Sequence, residues 1–298
     1  MARRAWLQLL LLASLWGASY LFIKVGLRDF SAGAVVFLRT GLGALVLLPL
    51  ALRTHALREL RGRARDVALV AAVQVAAPFL LIALGERSIS SSLAGILVST
   101  APIFTALIAL RADEEERLGG WGFAGVIVGI VGVALVVGVD VGKSGLLGAL
   151  AVVLASLGYA VGGLLTKRRL RGVPSLALTT GTTSTSALMV APVALATLPG
   201  HAPGAGPVLA LVALGCAGTG LAFVIFYRLI SDVGPTKALL VTYLVPGFAL
   251  AYGVLLLGER ITSATVAGLA LIVGGSWLAA EGRLPTPRRA TARVPHSG

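Results

Sequence analysis

Charged side chains are scarce in this sequence, at only 12% of 298 residues, which is about half of what an average soluble domain carries. Hydrophobic residues make up 57% of the chain, and 38 further positions are glycine. A soluble domain of this length needs far more polar surface. One membrane-spanning helix needs about 20 mostly apolar residues, so the composition suffices for roughly ten of them. The sequence therefore excludes a soluble protein and predicts an all-α integral membrane protein.

Cysteine and histidine are also nearly absent. The single cysteine, Cys216, excludes a disulfide framework within the chain and a cysteine-based metal site. The three histidines fall in predicted connections or in the tail, at His55, His201 and His296. The net charge of +13 comes from basic residues in short tracts between apolar runs, an arrangement typical of membrane topology rather than of nucleic-acid binding. We therefore expect no cofactor, no metal ion and no nucleic-acid partner.

Carboxylates are missing from the middle of every predicted span. Glu86, Glu116, Asp140 and Glu259 all fall at segment ends. Proton-coupled carriers commonly use a buried carboxylate or a histidine relay inside the membrane, so the sequence leaves the coupling ion open. It also lacks paired acid and base residues at one depth. No catalytic residue is predicted, and a membrane-embedded enzyme is a remote alternative.

Apolar runs separated by charges, glycine or proline predict ten membrane-spanning helices. Their bounds are about 5–25, 32–52, 66–84, 91–110, 119–139, 145–165, 175–197, 206–227, 235–257 and 261–280.

With a cytoplasmic N-terminus, 19 of the 25 Lys and Arg residues fall on the inner side and five on the outer side. This bias follows the positive-inside rule. It predicts a multi-pass protein of the cytoplasmic (inner) membrane with both termini in the cytoplasm. A signal peptide is the alternative for the first run, which continues to Gly26 without a typical cleavage site.

The two halves of the chain match each other at an offset of about 143 residues. The matches include polar, charged and proline positions: Trp16 with Tyr159, Lys24 with Lys167, Pro49 with Pro192, Glu116 with Glu259 and, with a one-residue slip, Pro102 with Pro246. Five spans per half is an odd number, so the halves insert in opposite orientations. The sequence thus predicts two inverted five-helix repeats, residues 1–140 and 141–282, followed by a disordered basic cytoplasmic tail, 283–298. Many secondary transporters are built in this way, with the substrate site between the halves.

Several motifs carry a family resemblance. Residues 13–24 read ASLWGASYLFIK and residues 36–39 read VFLR, and both resemble the first two helices of the EamA type of the drug/metabolite transporter (DMT) superfamily. Residues 244–246 (LVP) and 257–262 (LGERIT) are similar to the end of its second repeat, whereas DEEER at 113–117 departs from the first. The resemblance implies a secondary transporter that moves a small organic solute, an amino acid or a drug-like metabolite, by export or exchange through alternating access. A channel or lipid scramblase is the alternative.

Polar and aromatic side chains inside predicted spans are the candidate substrate contacts, because each is costly in lipid unless it meets protein, water or solute. Those on the first helix share one face, which is either a cavity wall or an interfacial aromatic patch beside a snorkelling lysine. The predicted substrate-binding residues are Trp16, Ser19, Tyr20, Gln74, Ser99, Tyr159 and Tyr243.

Four further features each leave two interpretations open. Arg39 either contacts an anionic substrate group or pairs structurally with nearby carbonyl groups. Pro102 and Pro246 either gate by hinge motion or bend their helices statically. The hydroxyl run at 179–186 serves either helix packing or a polar pore. Four glycines of the fifth span pack within the monomer or form a homodimer face: Gly122, Gly125, Gly129 and Gly132. The expected partners are a small-molecule substrate, the lipid bilayer and, through such a face, a second copy.

Overall fold

The computed structural model describes residues 3–112, 120–140 and 145–281, and within these residues it is helical with no β-strand. The predicted tail, 283–298, and the acidic loop, 113–117, lie outside them. We number the helices α1 to α10 and count as one helix any two stretches that continue through a short break or a π-helical turn. Their bounds are α1 Arg3–Gly26, α2 Ala32–Arg53, α3 Ala64–Gly85, α4 Ser91–Val98 with Ala101–Ala112, α5 Gly120–Asp140, α6 Leu146–Arg169, α7 Ser175–Ala196, α8 Ala205–Val233, α9 Val241–Leu257 and α10 Ser263–Glu281.

Eight of these described helices are long and apolar enough to cross a bilayer, namely all except α7 and α9. Helix α7 has 22 residues but includes the hydroxyl run, and α9 is apolar but has only 17 residues. Both still place leucines on the outer surface, since Leu188 of α7 is 74% exposed and Leu255 of α9 is 77% exposed. The all-α membrane fold is confirmed. The count of ten spans remains a prediction for these two helices.

Glycines allow α5 and α10 to pack backbone against backbone. A Cβ atom built on Gly125 would lie 2.5 Å from the Ala279 nitrogen, and one on Gly275 would lie 2.5 Å from the Gly129 nitrogen. Gly132, further along α5, meets Ile272, which precedes these partners in α10, so the two helices run antiparallel. The predicted glycine face of α5 is thus buried against α10 of the same chain. A contact between two copies through such a face stays a prediction.

Two helices contain a π-helical turn, at Ala71–Ala76 in α3 and at Ala213–Leu221 in α8. In α3 the wide turn comes just before Pro78, which lacks the N–H that an α-helix would need there. Ser186 of α7 donates its hydroxyl to the Ala71 carbonyl at 3.1 Å. Other hydroxyls of the α7 run, such as that of Thr183, donate to carbonyls of their own helix. These hydrogen bonds engage the hydroxyl groups of the run in packing within α7 and between α7 and α3.

The two prolines predicted to gate lie in different local structures. Helix α4 is interrupted at Ser99 and Thr100, and Pro102 is the second residue of the stretch that follows. The Ser99 carbonyl, which the interruption releases, accepts a hydrogen bond of 2.7 Å from Ser276 of α10. Pro246 lies instead within the continuous helix α9 and is buried. The interruption and the proline provide local weak points, and their gating role stays a prediction.

Candidate functional site

A cluster of aromatic side chains surrounds one arginine in the interior of the bundle. The Arg39 guanidinium carbon, on α2, lies 3.7 Å from the ring centroid of Phe79 on α3, which is cation–π distance. Its Nε donates a hydrogen bond of 3.3 Å to the Thr219 hydroxyl in the π-helical turn of α8. The Tyr159 ring of α6 meets Phe79 edge-on, with centroids 6.5 Å apart. Arg39 also interacts electrostatically with Tyr159 and with Tyr20 of α1. We call these five residues the arginine–aromatic site.

Local sequence explains how Tyr20 reaches this site. Gly95 of α4 packs against its ring, and a Cβ atom there would lie 3.2 Å from the tyrosine Cδ2 and 2.5 Å from the Ala249 Cβ. A larger residue would push α1, α4 and α9 apart. Tyr20 is accordingly buried.

Arg39 is only half-buried, although side chains from α1, α3, α6 and α8 surround it. No carboxylate of the described residues lies within salt-bridge distance of its guanidinium. A planar cation with free donors beside aromatic faces can bind a carboxylate or phosphate group in two-pronged fashion.

The remaining predicted contacts of α1 face other partners. Trp16 packs against Phe223 and Phe226 of α8, with ring centroids 5.8 and 5.3 Å away. Ser19 donates its hydroxyl to the Leu15 carbonyl at 3.1 Å and lies against Gly218 of α8. The predicted face of α1 is thus shared between the α8 aromatic cluster and the arginine–aromatic site.

Gln74 and Ser99 also have partners of their own. The Gln74 Oε1 accepts a hydrogen bond of 3.0 Å from Thr166 of α6, and its side chain fills the space beside Gly162. The Ser99 hydroxyl donates to the Gly95 carbonyl at 3.1 Å. Tyr243 is half-buried in the first turn of α9. Of the predicted set, the structure brings together Tyr20, Arg39 and Tyr159.

The sequence reasoning missed Phe79 and Thr219. Phe79 lies in a run of apolar residues, where an aromatic ring gives no sign of a polar neighbour. Thr219 is the one hydroxyl residue in the glycine-rich stretch 215–220. A polar group in a span is a site candidate, so that isolated position was an available signal.

A second cluster closes one end of the bundle, where α1, α3 and α9 finish and α4 and α10 begin. We call it the Glu86 end. Gly258, with φ 67°, ends α9 in the left-handed conformation, and its N–H donates to the Val254 carbonyl at 3.2 Å, as in the αL capping motif. The Glu259 N–H donates to the Gly253 carbonyl at 3.1 Å. This turn directs the Glu259 side chain back towards the first turn of α4.

Glu259 caps α4 from outside that helix. Its Oε1 accepts hydrogen bonds from the Ser91 N–H at 2.7 Å and the Ser91 hydroxyl at 2.9 Å. Its Oε2 accepts from the Ser92 N–H at 3.0 Å and also from the Ser92 hydroxyl. Ser90 caps the next free donor, the Leu93 N–H. An anion at a helix N-terminus is stabilised by these free donors and by the helix dipole. The LGER motif therefore joins the end of α9 to the start of α4.

Lys24 and Glu86 complete the Glu86 end. The Lys24 ammonium donates to two backbone carbonyls, those of Glu86 and, at 2.8 Å, of Ile89. The Glu86 side chain is 0% exposed, and neither carboxylate oxygen has a hydrogen-bond partner among the described residues. Burial raises the pKa of the Glu86 carboxyl well above its usual range. Glu259 acts in the same direction, while Lys24 and Arg39 act against it.

The opposite end of α3 and α6 is held more weakly. Arg169 forms an ion pair of 3.0 Å with Asp66, and both side chains are substantially exposed. Exposed pairs of this kind contribute about 0–1 kcal/mol. Among the described residues no group of His, Cys, Asp and Glu is placed to hold a metal ion.

Long apolar helices that pack polar side chains between them are the architecture of a multi-pass membrane protein. Residues 4–138 and again 146–280 match the model of the EamA-like transporter family, and the chain belongs to this family. The resemblance drawn from the motifs is confirmed.

Relatives agree with this assignment, and one solved structure shares the fold. The chain is 26% identical over 272 residues to the uncharacterized transporter YdfC of Bacillus subtilis (strain 168), covering 89% of this chain and 87% of that protein. It is 26% identical over 284 residues to the uncharacterized inner membrane transporter YedA of Escherichia coli (strain K12), covering 92% and 90%. A crystal structure with 20% identity superposes with a TM-score of 0.66 over 94% of this chain and 97% of that one. That likeness concerns the fold alone.

Proposed function

We propose that the chain is a secondary transporter that carries a small organic solute with an anionic group, such as an amino acid or a drug-like metabolite, across the cytoplasmic membrane. The observation that carries this proposal is Arg39, a half-buried cation inside the bundle with no described carboxylate within salt-bridge distance of its guanidinium. The solute supplies the missing anion. The faces of Tyr20, Phe79 and Tyr159 accommodate its apolar part.

Alternating access through two inverted repeats is the second part of the proposal, with residues 1–140 and 141–282 as the repeats. Its support is the pattern of helix contacts. If the two repeats are exchanged, α1 corresponds to α6, α3 to α8 and α4 to α9. The α1–α9 contact then corresponds to the α6–α4 contact, and the α3–α6 contact corresponds to the α8–α1 contact. All four contacts exist. The pairs α2–α7 and α5–α10 map onto themselves. The two matches to one family model also fit this arrangement. Export or exchange, with both termini cytoplasmic, remains our expectation for direction and topology.

The other predicted contacts belong to this proposal as residues that solute reaches when the bundle rearranges. Trp16 and Tyr159 are repeat equivalents, as are the regions of Pro102 and Pro246. Gln74, Ser99 and Tyr243 stay proposed contacts, with Ser19 behind them on α1.

A thermal-shift experiment tests the role of Arg39. The purified protein is heated with amino acids, other carboxylates, sugars, nucleosides and cationic dyes, because a solute at 100 times its Kd stabilises the folded state by about 2.7 kcal/mol. We expect carboxylate-bearing solutes to raise Tm. Arg39→Gln should weaken their binding by about 10- to 150-fold, since a hydrogen bond to a charged group contributes about 1.5–3 kcal/mol.

Arg28→Gln is the matched control, because Arg28 is an exposed arginine just after the end of α1. It should keep the full shift. Equal shifts in the Arg39 and Arg28 variants, or shifts with cationic dyes alone, would contradict the anion-binding role.

A further inference from the structure

The carboxyl group of Glu86 is buried without a hydrogen-bond donor, and no part of the proposed solute site uses it. It follows the last residue of α3 directly, and its side chain is fully buried. A charged carboxylate in such a place lacks both water and partners, and a buried group of this kind usually becomes neutral. The neutral form requires a proton on one of the two oxygens.

The charged groups that face Glu86 come from three other elements. Lys24 of α1, Arg39 of α2 and Glu259 after the end of α9 interact with it electrostatically. Among the described residues neither cation lies at salt-bridge distance from it, and the Tyr20 hydroxyl of α1 lies within the same electrostatic range. Helix α6 also packs on this end, with Val152 close to Gly85, but residues 146–166 of α6 carry no charge. Two cations and one anion therefore act on the carboxyl group.

The hydrogen bonds around the two carboxyl groups differ. The Lys24 ammonium donates to backbone carbonyls, so it does not form an ion pair with Glu86. Glu259 accepts four hydrogen bonds from Ser91 and Ser92, whereas neither oxygen of Glu86 has a donor among the described residues. Glu86 is therefore the buried carboxyl group that a proton would stabilise.

The contacts around Glu86 also link its environment to the conformation of the bundle. Lys24 ties α1 to the connection between α3 and α4, and Glu259 ties α9 to α4. When these contacts separate, water reaches the carboxyl group and the charged form is no longer penalised. Closure and protonation therefore favour each other by thermodynamic linkage.

We propose that Glu86 is a proton-binding site that is occupied when the Glu86 end is closed and emptied when this end opens. A proton from bulk water forms an O–H bond with one carboxylate oxygen as the end closes. The same bond breaks, and the proton returns to water, when the group is exposed again. The further step, that this proton is the coupling ion of transport, rests on the proposed function.

Cysteine labelling tests the linkage without any solute. The background carries Cys216→Ala, and Ile89→Cys places one thiol in the closed end, where Ile89 is buried. An impermeant maleimide then reports opening in detergent-solubilised protein, where both ends of the bundle are accessible. With Glu86 present, we expect labelling to rise with pH beyond the titration of the thiol, up to about tenfold per pH unit for one linked proton.

Two variants in the same background isolate Glu86. Glu86→Gln stays neutral at every pH, so labelling should remain slow apart from the titration of the thiol itself. Glu59→Gln alters an exposed carboxyl group elsewhere and should keep the full pH dependence. Ala202→Cys, in an exposed connection, gives the reactivity of a free thiol. The proposal fails if the Glu86→Gln variant keeps the pH dependence of the unsubstituted protein. It also fails if replacing potassium by sodium at a fixed alkaline pH closes the end, as a fall in the labelling rate would show.

Infrared spectroscopy covers the case in which the Glu86→Gln variant does not fold. The unsubstituted protein should show the carbonyl stretch of a protonated, slowly exchanging carboxyl group at neutral pH. This band should disappear over the pH range in which labelling of the Ile89→Cys variant rises. Absence of the band at neutral pH would overturn the proposal. Neither measurement involves a solute, so a failed solute screen and a failed proton site give different results.

Discussion

Gly253 and Gly247 lie on the same helix, α9, but meet different neighbours. A Cβ atom at Gly253 would collide with the Ser92 hydroxyl and with the Glu259 carboxylate. At Gly247 it would meet nothing within 4 Å. Alanine at the two positions therefore separates helix propensity from the contact that closes the Glu86 end.

The cost of Gly253→Ala follows from the bonds that the new methyl group would displace. These are the two hydrogen bonds from Ser92 to Glu259, and bonds to a charged group contribute about 1.5 kcal/mol each at the lower end. The helix propensity that alanine adds, about 1 kcal/mol, stabilises α9 equally in the closed and the open end, so it does not enter this equilibrium. The closed end should lose about 3 kcal/mol, which is roughly a 150-fold shift towards the open end. Gly247→Ala should gain the same helix propensity without this loss.

The assay is maleimide labelling of Ile89→Cys in the Cys216→Ala background at acidic pH, where the closed end predominates. Gly253→Ala should label up to about 150 times faster than the parent, as that free-energy difference requires. Gly247→Ala should label at the parental rate. Equal rates for the two alanine variants would refute the role of the Glu259–Ser92 contact in holding this end closed.

Three other predictions use measurements that are independent of this assay. Pro102→Ala or Pro246→Ala should slow turnover more than it weakens solute binding, because the defect lies in switching; unchanged turnover in both leaves only static bends. A cysteine in place of Arg61 should resist an impermeant reagent in intact cells if the 53–65 connection is cytoplasmic, and modification would overturn the topology. Gly125→Ala should lower Tm, since overpacking costs about 1–3 kcal/mol; Gly138→Ala, with open space beside it, should not.

Helix positions were predictable from the sequence because bilayer thickness and the cost of unpaired backbone groups fix what an apolar run must become. The run at 32–52 became α2, Ala32–Arg53, and the break near residue 30 became the start of that helix at its Ser31 cap. The π-helical turns of α3 and α8 were not predicted. The turn in α3 accepts a hydrogen bond at Ala71 from Ser186, a tertiary partner 115 residues away.

The arginine–aromatic site was predictable only in part. Arg39, Tyr20 and Tyr159 stand out because polar groups inside spans need partners. Which partners they find depends on tertiary packing, so Phe79 carried no signal.

Placing Glu86 and Glu259 at segment ends was correct, but an end position does not imply exposure to water. Glu259 reaches Ser91 across 168 residues of sequence.

The charge of the solute determines the sign of proton coupling in this arrangement. Arg39 interacts electrostatically with Glu86, so an anion bound at Arg39 partly neutralises the arginine and raises the pKa of Glu86 further. A carboxylate-bearing solute and the proton then favour each other, and solute affinity should weaken as pH rises through that pKa. By reciprocity, solute binding should take up protons from an unbuffered solution. A cationic solute would reverse both signs and release protons, which corresponds to exchange of solute for proton.

Calorimetry measures the number of protons taken up or released when the solute selected by thermal shift binds, if the titration is done in two buffers of different ionisation enthalpy. Glu86→Gln should reduce this number to zero. A pH-independent affinity together with zero proton uptake would separate the two sites and leave Glu86 as a structural residue of the closed end.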